Sequence, residues 1–309
     1  MARGRVYVGT SGYVYREWRG AFYPPELPVK SWIDYACERF DSIELNGTFY
    51  SLKSPAAFAR WAAAAPPGFV YAVKGSRFIT HNLKLGHAEA ALANFFASGV
   101  LALGRALGPF LWQLPPRLAF DRARFDAFVD LLPRNARDAE RLAARHDARL
   151  RHGALVRAAS PGRYRHAFEV RDPRCMEPEL FSWLRRRGLG FVIADTAGRH
   201  PYAEEVTADF VYVRLHGSTA LYASDYSERE LEQWAARVKA WASRGLDVYV
   251  YFDNDVHAYA PKNAARLIEL LGGVSASRAR PSGRASPARR GARAKARPPR
   301  ASPSTPRPR

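Results

Sequence analysis

A closed eight-stranded (β/α) barrel is the fold this sequence predicts, and three observations predict it. Eight short runs rich in β-branched and aromatic residues recur along residues 1–272. Helical patterns lie between many of them, as a parallel sheet covered by helices requires. Eight such repeats favour closure over an open sheet, because closure leaves no edge strand.

The expected strands are Val6–Val8, Ser42–Leu45, Phe69–Val73, Phe110–Leu114, Ala167–Val170, Phe191–Ala194, Phe210–Leu215 and Val248–Phe252. Ser54-Pro55 opens a helix carrying Phe58 and Trp61. Asp121 caps one whose stripe is Phe125, Phe128, Val129 and Leu132. Ser227 and Glu230 have capping-box spacing ahead of Leu231, Trp234, Val238 and Trp241, and Gly245 closes that helix. Pro261 opens the last, with Ala264, Leu267, Ile268 and Leu271 as its apolar stripe. Pro133 to Arg165 reads as an inserted helix or long loop rather than a second domain.

Residues 273–309 change character. They hold eleven Lys/Arg and no Asp or Glu, in an Ala/Arg/Pro/Ser background without aromatics. Such a segment buries too little apolar surface to offset its ordering entropy, so a disordered basic tail is expected there. Removing its eleven basic residues from the chain's 48 leaves 37 against 29 acidic residues, so residues 1–272 carry only +8 of the net +19. The tail thus owns most of the excess, and the site is not to be inferred from it. Non-specific polyanion binding by counterion release is the partner that this composition fits.

Cys37 and Cys175 stand far apart, which gives neither a disulfide framework nor a metal-type pair. The N-terminus lacks an apolar leader, and no apolar run reaches the length of a membrane span. A cytoplasmic protein with no membrane partner is expected.

In parallel barrels the chemistry gathers at the C-terminal ends of the strands. There the sequence places Ser11, then Glu44, Asn46 and Tyr50, then Lys74 and His81, then Gln113, then Glu169 and Arg171, then Asp195, Arg214 and His216, and last Asp253 and Asn254. Charged groups inside apolar strands are costly unless paired or used. Glu44, Glu169, Asp195, His216 and Asp253 are the candidate catalytic groups. Ser11, Asn46, Tyr50, Lys74, His81, Gln113, Arg171, Arg214 and Asn254 are the candidate substrate contacts.

These blocks carry a resemblance. Gly9-Thr10-Ser11-Gly12-Tyr13, Glu44-Leu45-Asn46-Gly47-Thr48-Phe49-Tyr50, Gln113-Leu114-Pro115-Pro116, Glu169-Val170-Arg171, Arg214-Leu215-His216-Gly217 and Tyr251-Phe252-Asp253-Asn254 occur in order. The set resembles the YecE-like family (domain of unknown function 72) over residues 5–271. The resemblance implies a TIM barrel and brings no activity with it. The chain departs from the family after Glu-x-Arg, with Asp172 where His is common and Arg174-Cys175-Met176 where Trp is.

Three functional readings follow. In the first, a divalent metal held by Glu169, Asp195 and His216 assists hydrolysis of a phosphate-containing substrate, nucleic acid among them, while Lys74, Arg171 and Arg214 bind its oxygens. In the second, paired carboxylates perform metal-free acid–base chemistry on a small polar or sugar-like ligand, and aromatics such as Tyr13, Tyr15 and Tyr50 stack on it. In the third, the protein is not an enzyme and binds nucleic acid through its tail.

Overall fold

The computed structural model describes residues 3–151 and 153–272. The expected tail at 273–309 lies outside them. The strands are β1 (Val6–Ser11), β2 (Ser42–Leu45), β3 (Val70–Lys74), β4 (Leu107–Gln113), β5 (His166–Glu169), β6 (Gly190–Asp195), β7 (Phe210–Leu215) and β8 (Asp247–Phe252). All run parallel and pair in chain order, and β8 returns to β1 with Tyr7 opposite Tyr249. The barrel expected from the sequence is thus present, closed.

The helices are α1 (Trp32–Arg39), α2 (Gly47–Tyr50), α3 (Pro55–Ala64), α4 (Glu89–Ala97), α5 (Arg122–Leu131), α6 (Ala136–Ala143), α7 (Pro178–Arg187), α8 (Glu228–Ser243) and α9 (Tyr259–Leu270). Their starts follow local chemistry. Ser54 Oγ accepts from Ala57 N with Pro55 at the first helical position, and Asp121 accepts from Arg124 N at 2.8 Å. Ser227 and Glu230 close a full capping box on α8, and Gly245 follows its end with φ 84°. The 133–165 segment supplies α6, which packs on α4 and is tied there by Asn94–Asp147 hydrogen bonds in both directions.

Several boundaries differ from expectation: β1 runs on to Ser11 rather than ending at Val8, and β3, β5, β6 and β8 differ by one residue at one or both ends. β4 begins at Leu107 rather than Phe110, and the β3–β4 register shifts between Tyr71 and Val73. Pro109 lacks the N–H that a regular ladder needs there. Helix α9 begins two residues before Pro261, which therefore sits in its first turn, where no N–H is missed.

Side chains alternate between two cores. Odd-numbered residues of β7 (Val211, Val213, Leu215) join the large layer between strands and helices. Even ones (Phe210, Tyr212) point into the barrel with Tyr7, Ala72, Leu111, Val192, Ala194, Tyr249 and Tyr251. Tyr7 stacks on Tyr249 at 4.9 Å, and Ser42 Oγ meets Tyr251 Oη at 2.7 Å. The barrel is filled, and its upper layer is where the polar residues begin.

Candidate functional site

Arg214 is the next inward position of β7 after Tyr212, and it is fully buried. Its guanidinium lies among three carboxylates from three other strands. Nε and Nη2 hold Glu44 side-on, at 3.1 Å to Oε2 and 2.9 Å to Oε1. Nη1 donates to Glu169 Oε2 at 2.8 Å, and Nη2 to Asp253 Oδ2 at 2.9 Å. Nη1 also reaches His216 Nε2 at 3.2 Å, and Nη2 reaches Ser11 Oγ at 3.1 Å. Burial opposes the cation, but Glu44, Glu169 and Asp253 together hold its pKa well above the ordinary range.

Every donor of Arg214 is thereby engaged by the protein, leaving none for a substrate anion. The expected substrate contact is instead a structural centre. Glu44 is equally saturated: besides Arg214 it accepts from Ser11 Oγ at 2.5 Å and Tyr212 Oη at 2.6 Å. With no exposed surface it reaches no ligand, and Ser11 is spent on it. His216 accepts at Nε2, which puts its proton on Nδ1, 2.9 Å from Asp253 Oδ2 but poorly aligned for a hydrogen bond. Burial and Arg214 lower its pKa, so the ring is neutral with both nitrogens facing protein groups.

The metal trio does not assemble. Asp195 follows Ala194, an inward residue, and so projects from the outer face of β6, where Tyr226 Oη donates to it at 2.9 Å. It lines a groove of about 350 Å³ with His200, Trp234 and Arg237, across the barrel wall from Glu169 and His216. Among the described residues no group of three or more His, Cys, Asp or Glu is placed to hold a metal ion. Asn254 also faces outward, its amide donating to Ser224 O and Asn263 Oδ1, both at 2.9 Å.

What remains at the mouth is a smaller set. Lys74, the last residue of β3, is 5% exposed. Its Nζ donates to Asn46 Oδ1 at 3.0 Å and lies 4.4 Å from the centre of the Phe49 ring. Burial first, then Arg214, lowers its pKa to about 8. Arg171 gives only Nε to Glu169, at 2.7 Å, and among the described residues neither Nη group hydrogen-bonds a carboxylate. Burial would raise Glu169, but Arg171 and Arg214 outweigh it and hold its pKa well below normal. Arg214 and His216 do the same for Asp253.

His81 is half-buried, edge-on to Phe49 at 5.2 Å, with Nδ1 2.9 Å from Thr80 Oγ1. Burial and the cations Arg77, Arg171 and Lys74 bring its pKa to about 4. Gln113 is inward on β4 beside Glu169 and makes no side-chain hydrogen bond among the described residues. Tyr50 is 72% exposed at the rim. It lines a groove of about 440 Å³ with Tyr13, Tyr15, Asn46, Lys53 and Trp61. A larger groove, about 550 Å³ between α5, α6 and the end of α7, holds none of the strand-end residues.

Three participants stand outside the expected site residues, although Phe49 and Asp255 lie at strand ends that the sequence marks. Tyr212 was legible in part, since it shares the inward parity of Arg214. Phe49 reads equally well as core. Asp255 is singled out only by its surroundings: burial and the Asp253 charge raise its pKa to about 6.

The profile described as "Protein of unknown function DUF72" matches residues 7–287. The chain is 23% identical to the UPF0759 protein YecE of Escherichia coli over 86% of its length and 92% of that protein. It is 21% identical to the UPF0759 protein YunF of Bacillus subtilis over 86% and 94%. A crystal structure of a DUF72 family protein from Thermotoga maritima superposes with a TM-score of 0.68 at 26% identity, covering 86% of this chain and 99% of that one. One from Enterococcus faecalis gives 0.65 at 15% identity, over 86% and 95%. Among the described residues no helix is long and apolar enough to cross a membrane. The barrel, its ring of strand-end motifs and these likenesses place the chain in the DUF72 family of proteins of unknown function.

Proposed function

We propose that this protein is a cytoplasmic enzyme performing metal-independent acid–base chemistry on a small anionic substrate bound at the barrel mouth. One observation carries the reading. Lys74, at the end of β3, and Asp255, just past the end of β8, have their proton affinities pushed toward neutrality from opposite sides, about 8 and about 6. Groups so displaced are able to give up and take a proton near pH 7. Arg171 spends only Nε on a carboxylate among the described residues, which leaves its Nη face for a carboxylate or phosphate beside Tyr222, and Gln113 offers an unengaged amide. The carboxylate–Arg214 floor supplies a fixed polar field with no donors of its own to give.

The test is a thermal-shift series with inorganic phosphate, 2-oxo acids and sugar phosphates, with chelator present. Saturable stabilisation by one class, lost in Arg171→Ala, supports the reading. No stabilisation by any of them sinks it.

The tail carries a separate reading. Its eleven basic residues without an acid favour loose polyanion binding. Salt-sensitive retention on nucleic acid that vanishes on truncation after Gly272 supports it, and unchanged retention refutes it.

A further inference from the structure

Lys74 is unlike the other cations of the mouth in what it lacks. An ammonium has three donors, and only one is taken, by Asn46. No carboxylate among the described residues forms an ion pair with it, although three lie around the neighbouring Arg214. Its aliphatic stem is buried, and its amine rests against the Phe49 ring. Its backbone is fixed as well, with Thr48 Oγ1 donating to Lys74 O at 2.6 Å. A desolvated lysine beside a permanent cation is the arrangement that makes an amine nucleophilic at neutral pH.

We infer that Lys74 is a nucleophile that forms a Schiff base with an aldehyde or ketone carrying a carboxylate or phosphate. This rests on the anionic-substrate reading above and goes beyond it, from proton transfer to a covalent intermediate. The neutral Nζ attacks the carbonyl carbon, the C=O π bond opens, and a carbinolamine forms. The carbinolamine oxygen leaves as water, taking both hydrogens of the original amine in net terms, and a C=N bond remains. Nothing is oxidised or reduced. Arg171 holds the substrate's anionic end beside Glu169. The buried network below keeps its charges within the protein, so it steadies the site without competing for the substrate.

Reductive trapping tests this on the full chain. The protein is incubated at pH 7 with pyruvate, or with glycolaldehyde phosphate, and cyanoborohydride, and each lysine is read by peptide mass spectrometry. With a pKa near 8 instead of 10.5, the neutral fraction of Lys74 is about 300 times that of an ordinary lysine. Labelling of Lys74 at least tenfold faster than the chain's other lysines is expected, with the preference over neutral propionaldehyde lost in Arg171→Ala. Lys74→Arg keeps the cation and abolishes the adduct. The primary readout is on the unmodified chain, so it stands even where that variant fails to fold. Saturable stabilisation by the probes with Lys74 labelled no faster than its peers overturns the covalent step and leaves the acid–base reading. Neither stabilisation nor selective labelling overturns both.

Discussion

Arg214 and Glu44 meet side-on in the dry centre of the barrel, Nε to Oε2 at 3.1 Å and Nη2 to Oε1 at 2.9 Å, with neither residue exposed. The pair is completed by Glu169 and Asp253, so the guanidinium neutralises charge that has no access to water. Removing one partner of a buried ion pair leaves uncompensated charge and costs about 3–5 kcal/mol. Arg214→Ala is therefore expected to lose at least that much stability, read by urea unfolding. A variant that keeps its melting temperature and loses only ligand binding would show that Arg214 serves the substrate instead.

Lys74 works in the opposite direction. Its folded pKa near 8 lies below the ordinary 10.5, so the unfolded chain binds more protons between those values, and stability rises with pH across that window. Below pH 8 the full penalty of the buried ammonium applies. Lys74→Met is thus expected to stabilise the protein at pH 7, by roughly 1–3 kcal/mol. The gain should fade as pH climbs from 8 toward 10.5. Melting curves of the two proteins across pH 7–10.5 decide it, and a destabilised variant throughout would refute the penalty.

His166 gives an acid limb. Its Nε2 donates to Pro133 O at 2.8 Å, and its Nδ1 accepts from Trp112 Nε1 at 3.1 Å, so the neutral ring is fully satisfied. Burial lowers its pKa to about 3. In the unfolded chain it takes up a proton near pH 6.5. Its contribution is complete above pH 6.5 and is lost as pH falls toward 3, at about 1.4 kcal/mol per pH unit. His166→Gln should flatten the pH dependence of unfolding over pH 4–6. An unaltered slope would remove His166 from the acid limb.

Gly9 tests the closure of the barrel. A Cβ at this position would lie 1.7 Å from Ser42 O, a backbone atom of the paired strand β2. The clash is not with a flexible chain end, so β1 and β2 must part. Gly9→Ala is expected to cost about 3 kcal/mol or more, visible as a lowered denaturation midpoint. Wild-type stability would mean that the strand pair yields more easily than its hydrogen bonds imply.

The strands were legible because each is a short apolar run between turn residues, and β7 and β8 matched the expected runs closely. The site was legible as a ring of strand ends but not as a set of roles. Asp195 shows why. Gly190 to Ala194 is apolar on both faces, so nothing in the pattern marks which side is inward, and a shift of one residue sends a carboxylate through the wall. Arg214 was recognisable as a charge in an apolar strand, yet its saturation depends on four other strands meeting it. Asp255 was visible as a strand-end carboxylate beside Asp253 and Asn254 but was given no role, because its raised pKa arises from burial and a neighbour's charge. Helix α6 was read only as an inserted helix or loop, because it is short and its buried stripe of Ala136, Ala139, Leu142 and Ala143 is mostly small side chains.

The network around Arg214 also dictates when the site can exist. Its members come from β1, β2, β5, β7 and β8, and Ser11 and Arg214 are 203 residues apart in the chain. The outer tie from Arg5 N to Asp247 Oδ1 spans 242. As the chain emerges from the ribosome, the carboxylate of Glu44 lacks its hydrogen-bonded guanidinium until β7 has been made, and Asp253 joins later still. A fragment ending before β7 would have to bury unpaired charge or stay open to water. The mouth is accordingly assembled at the close of folding rather than near its start, and isolated half-barrels of this chain should not carry it.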